Sequence, residues 1–303
     1  MTAEHVNQLI NILASVTLFE MMVAIGLGGT FSELGRVARD WRLLSRAVLA
    51  NYVFFPAVAV ELLIALNVDP LVAAGILIPA VCPGAPFGPP FTAMARGNVV
   101  VAIGLMTVLA GSSAIVAPLL LRLLLPVTSG DLNVPIDAAE LVGTLMIAQF
   151  IPLCIGLSVR RWRPDWAARL IKPAGQVSTL LNLALLAVVV TVQFPMLLDI
   201  RARGYAGMCV LVGAGVAAGW LLGGPARGTR TAMAMATAVR NVGVSLVIAT
   251  KTFPGTSAVT AATIFAIFQT VLMALVALAW GRLASAPATT TKAPATIAQD
   301  VST

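Results

Sequence analysis

Arg240 stands in RTAMAMATAVRNVGVSLVIATKTFP, residues 230–254, where Thr237, Asn241, Gly243 and Ser245 also interrupt an apolar run. Its planar guanidinium is a fork of donors that suits carboxylate, sulfate or phosphate. Inside a bilayer such a charge costs ~2.5–3.5 kcal/mol, so it has to face a cavity or a partner. Glu20, in LFEMMV, is a second ionisable residue within an apolar stretch. It suits either a proton-coupling carboxylate or a structural partner for Arg240, and the sequence leaves both open. A third feature is PAVCPGAPFGPPFTAMARGN, residues 79–98. There Pro83, Pro86, Pro89 and Pro90 remove backbone donors and Gly84 and Gly88 permit non-helical dihedrals, which predicts an apolar half of about 71–82 and a short half after Pro90.

The same inventory argues against bond-making chemistry. His5 is the single histidine, and Cys82, Cys154 and Cys209 lie in apolar segments without metal-ligand spacing, as small buried residues would. No serine has a visible base, so the chain is expected not to be an enzyme and to hold no cofactor. The net charge of +7 is spread over short loops and forms no basic face interleaved with aromatics, so nucleic acid is not an expected partner.

These residues need elements to hold them. The chain has 303 residues, 59% hydrophobic and 10% charged, with mean hydropathy +0.97. That is the composition of an all-α polytopic membrane protein. A span takes ~20 mostly apolar residues, which predicts nine, at about 8–28, 44–66, 70–96, 98–125, 138–159, 174–199, 204–223, 231–253 and 257–282. The remainder, 284–303, is expected to be a disordered cytoplasmic tail.

Fourteen Lys and Arg residues fall in one set of loops, from Arg36 to Lys292, against Arg122, Arg201, Arg203 and Lys251 on the other side. The positive-inside rule then places the amino terminus outside and the carboxyl terminus in the cytoplasm, in a bacterial-type inner membrane. Trp162, Trp166, Trp220 and Trp280 fall near span ends, as an interfacial belt would.

Non-helical backbone at membrane depth is tolerated only against protein or a watery cavity. The two interrupted segments are the penultimate spans of a four-span and a five-span half, about 8–125 and 138–282. Interruptions at matching places signal an inverted-repeat transporter whose half-helix ends converge near the midplane. Single polar residues such as Gln149, Asn182, Gln193 and Gln269 serve as interhelical hydrogen-bonders, and Asn182 and Gln269 are also candidates to line a cavity between domains.

The order of these motifs resembles the bile acid:sodium symporter family over about 12–283. IGLGGTFSEL (25–34) is similar to that family's early helix end. NYVFFP (51–56) is similar to its Gln-aromatic-x-x-Met-Pro. CPGAPFGPPFTAMARGN (82–98) stands where the family has Cys-Pro-Gly-Gly-Thr-Ala-Ser-Asn and an Ala-Lys/Arg-Gly turn, and RTAMAMATAVRN (230–241) aligns without gaps on Arg-Thr-Ala-Leu-Ala-Leu-Glu-Thr-Gly-Ile-Gln-Asn.

The resemblance implies a nine-helix form lacking the first helix. Two discontinuous helices would cross in a core domain beside a flatter panel. It also implies a secondary transporter of a small organic anion. Together with the residue-level reading, the candidate substrate-binding set is Arg240, Asn241, Thr237, Asn51, Pro83, Gly84, Gly88, Gln269 and Asn182, with Glu20 the coupling candidate.

The family's sodium ligands are not kept. The late Glu corresponds to Ala236 and the late Gln to Arg240, the Ser-Asn pair to Gly88-Pro89, and two hydroxyls of the following helix to Ala102 and Met106. Asn51 is the remaining side-chain ligand. A carboxylate lost and a guanidinium gained would repel sodium at low dielectric, so sodium coupling is expected to be lost or altered, and proton coupling stays open. The alternative is a membrane sensor or binding protein that keeps the fold without transport.

Overall fold

The computed structural model describes residues 3–130, 137–192 and 202–284. The end of the 174–199 span, Gln193, Arg201 and the tail from 285 lie outside the described residues. Fourteen α-helices and two π-helical segments follow one another in the described chain. They are α1 (Ala3–Gly28), α2 (Phe31–Arg39), α3 (Trp41–Val48), a π segment (Leu49–Phe54), α4 (Phe55–Ala65), α5 (Pro70–Ala80), α6 (Gly88–Met94) and α7 (Val99–Ser129). Then come α8 (Ala138–Leu145), a second π segment (Met146–Phe150), α9 (Ile151–Trp162), α10 (Pro164–Val192), α11 (Ala202–Leu222), α12 (Arg227–Ala238), α13 (Val242–Thr252) and α14 (Ser257–Leu283).

Among the described residues eight stretches are long and apolar enough to cross a membrane. The split pair α5–α6 supplies the ninth crossing. The protein is an all-α integral membrane protein. Leu123, Ile147, Leu180, Leu221 and Leu275 stand exposed on its outer flanks, as side chains facing hydrocarbon do.

Local chemistry sets the helix ends. Asp69 accepts from the Leu71 N–H at 3.0 Å with Pro70 opening α5, Asn98 accepts from Val101 at 3.2 Å, and Asp137 from Ala139 and Glu140 at 2.9 and 3.0 Å. Thr30 and Glu33 form a reciprocal capping box that starts α2. That helix is a finding: the basic stretch after α1 is an amphipathic helix with Arg36 and Arg39 in its last turn and Val37 packed inward. The expected loop carrying Arg160 to Lys172 is likewise helical except at Arg163, because Trp162 ends α9 and Pro164 opens α10 at once.

Both π segments sit just before a proline, Pro56 and Pro152. Phe55 donates to Ala50 and Ile151 to Met146, each five residues back. A proline cannot donate in the ladder, and the widened turn absorbs the missing bond.

Two layers result. α1 packs along α9 and α10, and the backbones come close at Gly26 and Gly156. A Cβ on Gly26 would lie 2.4 Å from the Leu153 carbonyl oxygen, and small residues at such crossings are what let membrane helices touch. The second layer holds α4–α7 and α11–α14, with α14 against α5 and α12 against α11. Of the three cysteines only Cys82 is buried; Cys154 is half-buried and Cys209 exposed, which corrects the expectation for those two. Cys209 is exposed next to the exposed Val210 on α11, in an apolar stretch where a small apolar side chain is equally at home.

Candidate functional site

The two interrupted spans cross break to break. The first break is 81–87, between α5 and α6, and the second is 239–241, between α12 and α13. The Asn241 N–H donates to the Cys82 carbonyl at 2.8 Å, and its Nδ2 donates to the Gly84 carbonyl at 3.1 Å. The same side chain N-caps α13, accepting from Val244 at 3.2 Å. Asn241 therefore satisfies groups of both breaks at once.

The prolines divide their work differently from the sequence expectation. Pro83 and Pro86 lie in the break, whereas Pro89 and Pro90 lie in the first turn of α6, which begins at Gly88 and not after Pro90. First-turn N–H groups have no intrahelical partner to lose, so proline is tolerated there. Gly84 adopts φ +86, and a Cβ on it would lie 2.3 Å from the Ala110 backbone nitrogen of α7. Only glycine meets both conditions.

Arg240 is completely buried at this crossing. Gln269 of α14 holds its backbone like an adjacent strand: Oε1 accepts from the Arg240 N–H at 3.0 Å and Nε2 donates to its carbonyl at 3.0 Å. The guanidinium carbon lies 3.7 Å from the centre of the Phe55 ring, and one terminal nitrogen donates to the Thr237 carbonyl. Nε and the other terminal nitrogen have no hydrogen-bond partner among the described residues. Cys82 and Tyr52 interact electrostatically with this charge, and no carboxylate forms an ion pair with it among the described residues. Glu20 lies beside Ser178 of α10, its Oε2 without a hydrogen bond among the described residues. A Glu20–Arg240 ion pair is not formed.

Asn51 and Thr237 are buried beside Arg240, with Asn51 Nδ2 donating to Thr237 Oγ1 at 3.3 Å and to the Ala47 carbonyl at 2.9 Å. The Asn51 Oδ1 has no donor among the described residues. Ala236, at the position of the family's carboxylate, packs in an apolar cluster with Val37, Leu43, Ala47, Leu105 and Met233, and Ala102 is buried on α7. Around the crossing the described side chains offer amides, the hydroxyls of Thr237, Ser245 and Tyr52, and a guanidinium, but no carboxylate. A sodium ion needs a shell of oxygens and gains from a carboxylate, so this set does not fit it well.

Beside the crossing is a crevice of about 300 Å³ between α1, the α5–α6 break, α7 and α10. Its walls are mostly apolar, including Met21, Phe87, Pro89 and Met106, with a polar edge of Ser178, Thr179 and Asn182 on α10. The sequence candidates thus separate into two groups. Asn182, Pro89 and Met106 line the crevice, while Arg240, Asn241, Thr237, Asn51, Gly84 and Gln269 form the packed crossing behind it. Pro83 and Gly88 are buried in the chain between.

The crevice lies in the half nearest the arginine-rich loops, since it is walled by the last turns of α1 and the early turns of α7 and α10. At the opposite end the layers are fastened. Lys251 Nζ lies 3.0 Å from Glu140 Oε1 and donates to Thr144 Oγ1 at 2.5 Å, and Thr250 donates to Asn11 Oδ1 at 3.3 Å.

Sequence reasoning missed this fastening, and it missed the grip of both π segments on α7. Tyr52 donates to the Leu109 carbonyl at 3.1 Å and meets Ser112 Oγ at 2.7 Å; Gln149 donates to Ser113 Oγ at 2.7 Å and to the Ala110 carbonyl. The available signal was a polar residue shortly before Phe-Pro or Ile-Pro in two spans.

Comparison with known proteins bears on this arrangement. Residues 15–199 match the family described as the Sodium Bile acid symporter family. The chain is 26% identical over 279 residues to the "Uncharacterized sodium-dependent transporter YocS" of Bacillus subtilis, covering 88% of this chain and 83% of that one. It is 27% identical over 175 residues to the chloroplastic "Probable sodium/metabolite cotransporter BASS2" of Oryza sativa, covering 58% of this chain and 41% of that one.

Proposed function

The chain belongs to the Sodium Bile acid symporter family, and from that premise we propose that it moves a small organic anion across the membrane by alternating access. The observation that carries the anion is Arg240, a fully buried cation with no acid beside it, at the crossing of two broken helices. A desolvated charge is costly unless something of opposite sign compensates it. An anion held in the neighbouring crevice supplies that compensation.

In this proposal Arg240 replaces the cation that relatives named for sodium would use. Ala236 stands in place of the carboxylate, and sodium no longer drives transport. The solute rests against Pro89 and Met106 with its anionic group toward the crossing and its other polar atoms toward Ser178, Thr179 and Asn182. Asn241, Thr237, Asn51, Pro83, Gly84, Gly88 and Gln269 hold the crossing in shape. Glu20, beside the crevice residue Ser178, is the candidate for proton coupling. The arginine-rich face is cytoplasmic, in a bacterial-type inner membrane, and the inverted repeats are 8–125 and 138–282.

Uptake of labelled organic anions into proteoliposomes, with sodium and proton gradients imposed separately, is the test. Uptake without sodium is the expected result, and a strict sodium requirement would overturn the replacement of sodium by Arg240. Arg240→Gln removes a charge-assisted donor and is expected to cut uptake roughly 10- to 100-fold; unchanged uptake would remove Arg240 from the site. Thermal stabilisation by an anion with no flux under any gradient would make the chain a binding protein on a transporter fold.

A further inference from the structure

A second cavity, of about 330 Å³, opens on the arginine-rich face and shares no lining residue with the crevice. It lies where the end of α11, the start of α12, the end of α14 and the α6–α7 turn meet. Two side chains in it are cations, Arg96 and Arg227, both exposed. Neither has an acidic partner among the described residues.

Its other wall is aromatic. Trp220 and Trp280 lie with ring centroids 5.1 Å apart at 49°. Arg230 is already engaged in this wall, its guanidinium carbon 4.7 Å from the Trp220 ring centre and its Nε donating to the Trp220 carbonyl at 2.9 Å.

The turn that presents Arg96 is built, not incidental. Arg96 has φ +55, a left-handed conformation that residues bearing a Cβ rarely adopt. It is held by the Arg96 N–H donating to Ala93 at 3.0 Å, Gly97 to Thr92 at 2.8 Å and Asn98 to the Gly228 carbonyl at 2.9 Å. That last bond ties the turn to the first turn of α12, which carries Arg227 and has no side-chain cap. The backbone positions of Arg96 and Arg227 are thereby held at one opening, with both side chains exposed to it.

We propose that this cavity binds the phosphate headgroup of an anionic phospholipid, with the glycerol and first methylenes against Trp280 and Trp220. Guanidinium forks match phosphate oxygens two at a time. Tryptophans at span ends mark the headgroup level, and basic pockets between helices at that level select anionic lipids. A free phosphate would use the two arginines but leave the aromatic wall idle, and this is what favours a lipid.

Native mass spectrometry of the full chain, with phosphatidylglycerol or phosphatidylcholine added, reads the binding. Phosphatidylglycerol should be retained in preference to phosphatidylcholine. R96Q/R227Q should weaken it roughly 30-fold, R96K/R227K should keep most of it, and R36Q/R39Q, which removes the same charge from the same face, should change nothing. Undiminished phosphatidylglycerol binding in R96Q/R227Q would overturn the site, and so would equal weakening in R36Q/R39Q. Inorganic phosphate raising the melting temperature as far as phosphatidylglycerol does would overturn the lipid in favour of a free anion.

Discussion

The two broken helices reach the same place by opposite means. The first break, 81–87, is made by subtraction: Pro83 and Pro86 cannot donate, and Gly84 turns through φ +86 where a side chain would strike Ala110. The second, 239–241, contains no proline or glycine. It is made by substitution, with the Gln269 amide replacing both partners of the Arg240 backbone and the Asn241 amide capping the next half-helix. A membrane helix can therefore be opened by removing backbone groups or by giving them side-chain partners. Because the partners of the second break are side chains, single substitutions can take it apart one bond at a time.

This contrast can be broken at several points. Gln269→Leu leaves the Arg240 N–H and carbonyl unpaired in a dry interior, an expected loss of roughly 2–6 kcal/mol read as a fall in melting temperature and lost expression. Gly84→Ala combines a left-handed alanine with a clash against α7 and should cost roughly 2–5 kcal/mol. If it proved milder than any change in the second break, the first break would not depend on glycine. Asn241→Ser keeps an N-cap oxygen but cannot reach Gly84, and should cost roughly 1–3 kcal/mol. A larger fall, comparable with Gln269→Leu, would show that the capping of α13 was lost as well.

Lys251→Gln sharpens the comparison from outside it. That pair is partly exposed, so melting should move by less than about 1 kcal/mol. Cysteine-accessibility labelling should nevertheless show the layers parting more often at the Glu140 end, opposite the crevice, because the ion pair joins two layers and not two parts of one.

Much of the fold was legible in the sequence. The apolar runs gave nine crossings, and the prolines and the 237–245 polar cluster gave both interruptions. Asn241 and Gly84 were legible because amide and glycine at a break have few other uses. Arg240 was legible as a buried charge, but its surroundings were not: its partners are the ring of Phe55, the Thr237 carbonyl and Gln269, groups that carry no formal charge for a sequence to advertise. The π segments were hidden for a related reason. A proline in a span announces a missing donor, but whether the ladder kinks or widens depends on what the next helix offers, here the serines and carbonyls of α7 at 109–113. Lys251 and Glu140 lie 111 residues apart (251 minus 140), beyond any local pattern.

The small helix α2 has a mechanical consequence. It lies on α7, with Val37 so close to Gly104 that a Cβ there would meet it at 2.5 Å, and so it travels with the layer containing the crossing. α1 belongs to the other layer and ends at Gly28, leaving Gly29 and Thr30 as the whole connection. Relative rotation of the layers at this join has to be absorbed by those two residues, on the arginine-rich side. A short tether there acts as a fulcrum: small angular changes near Gly29 become larger displacements at the far end of α1, where Asn11 meets Thr250.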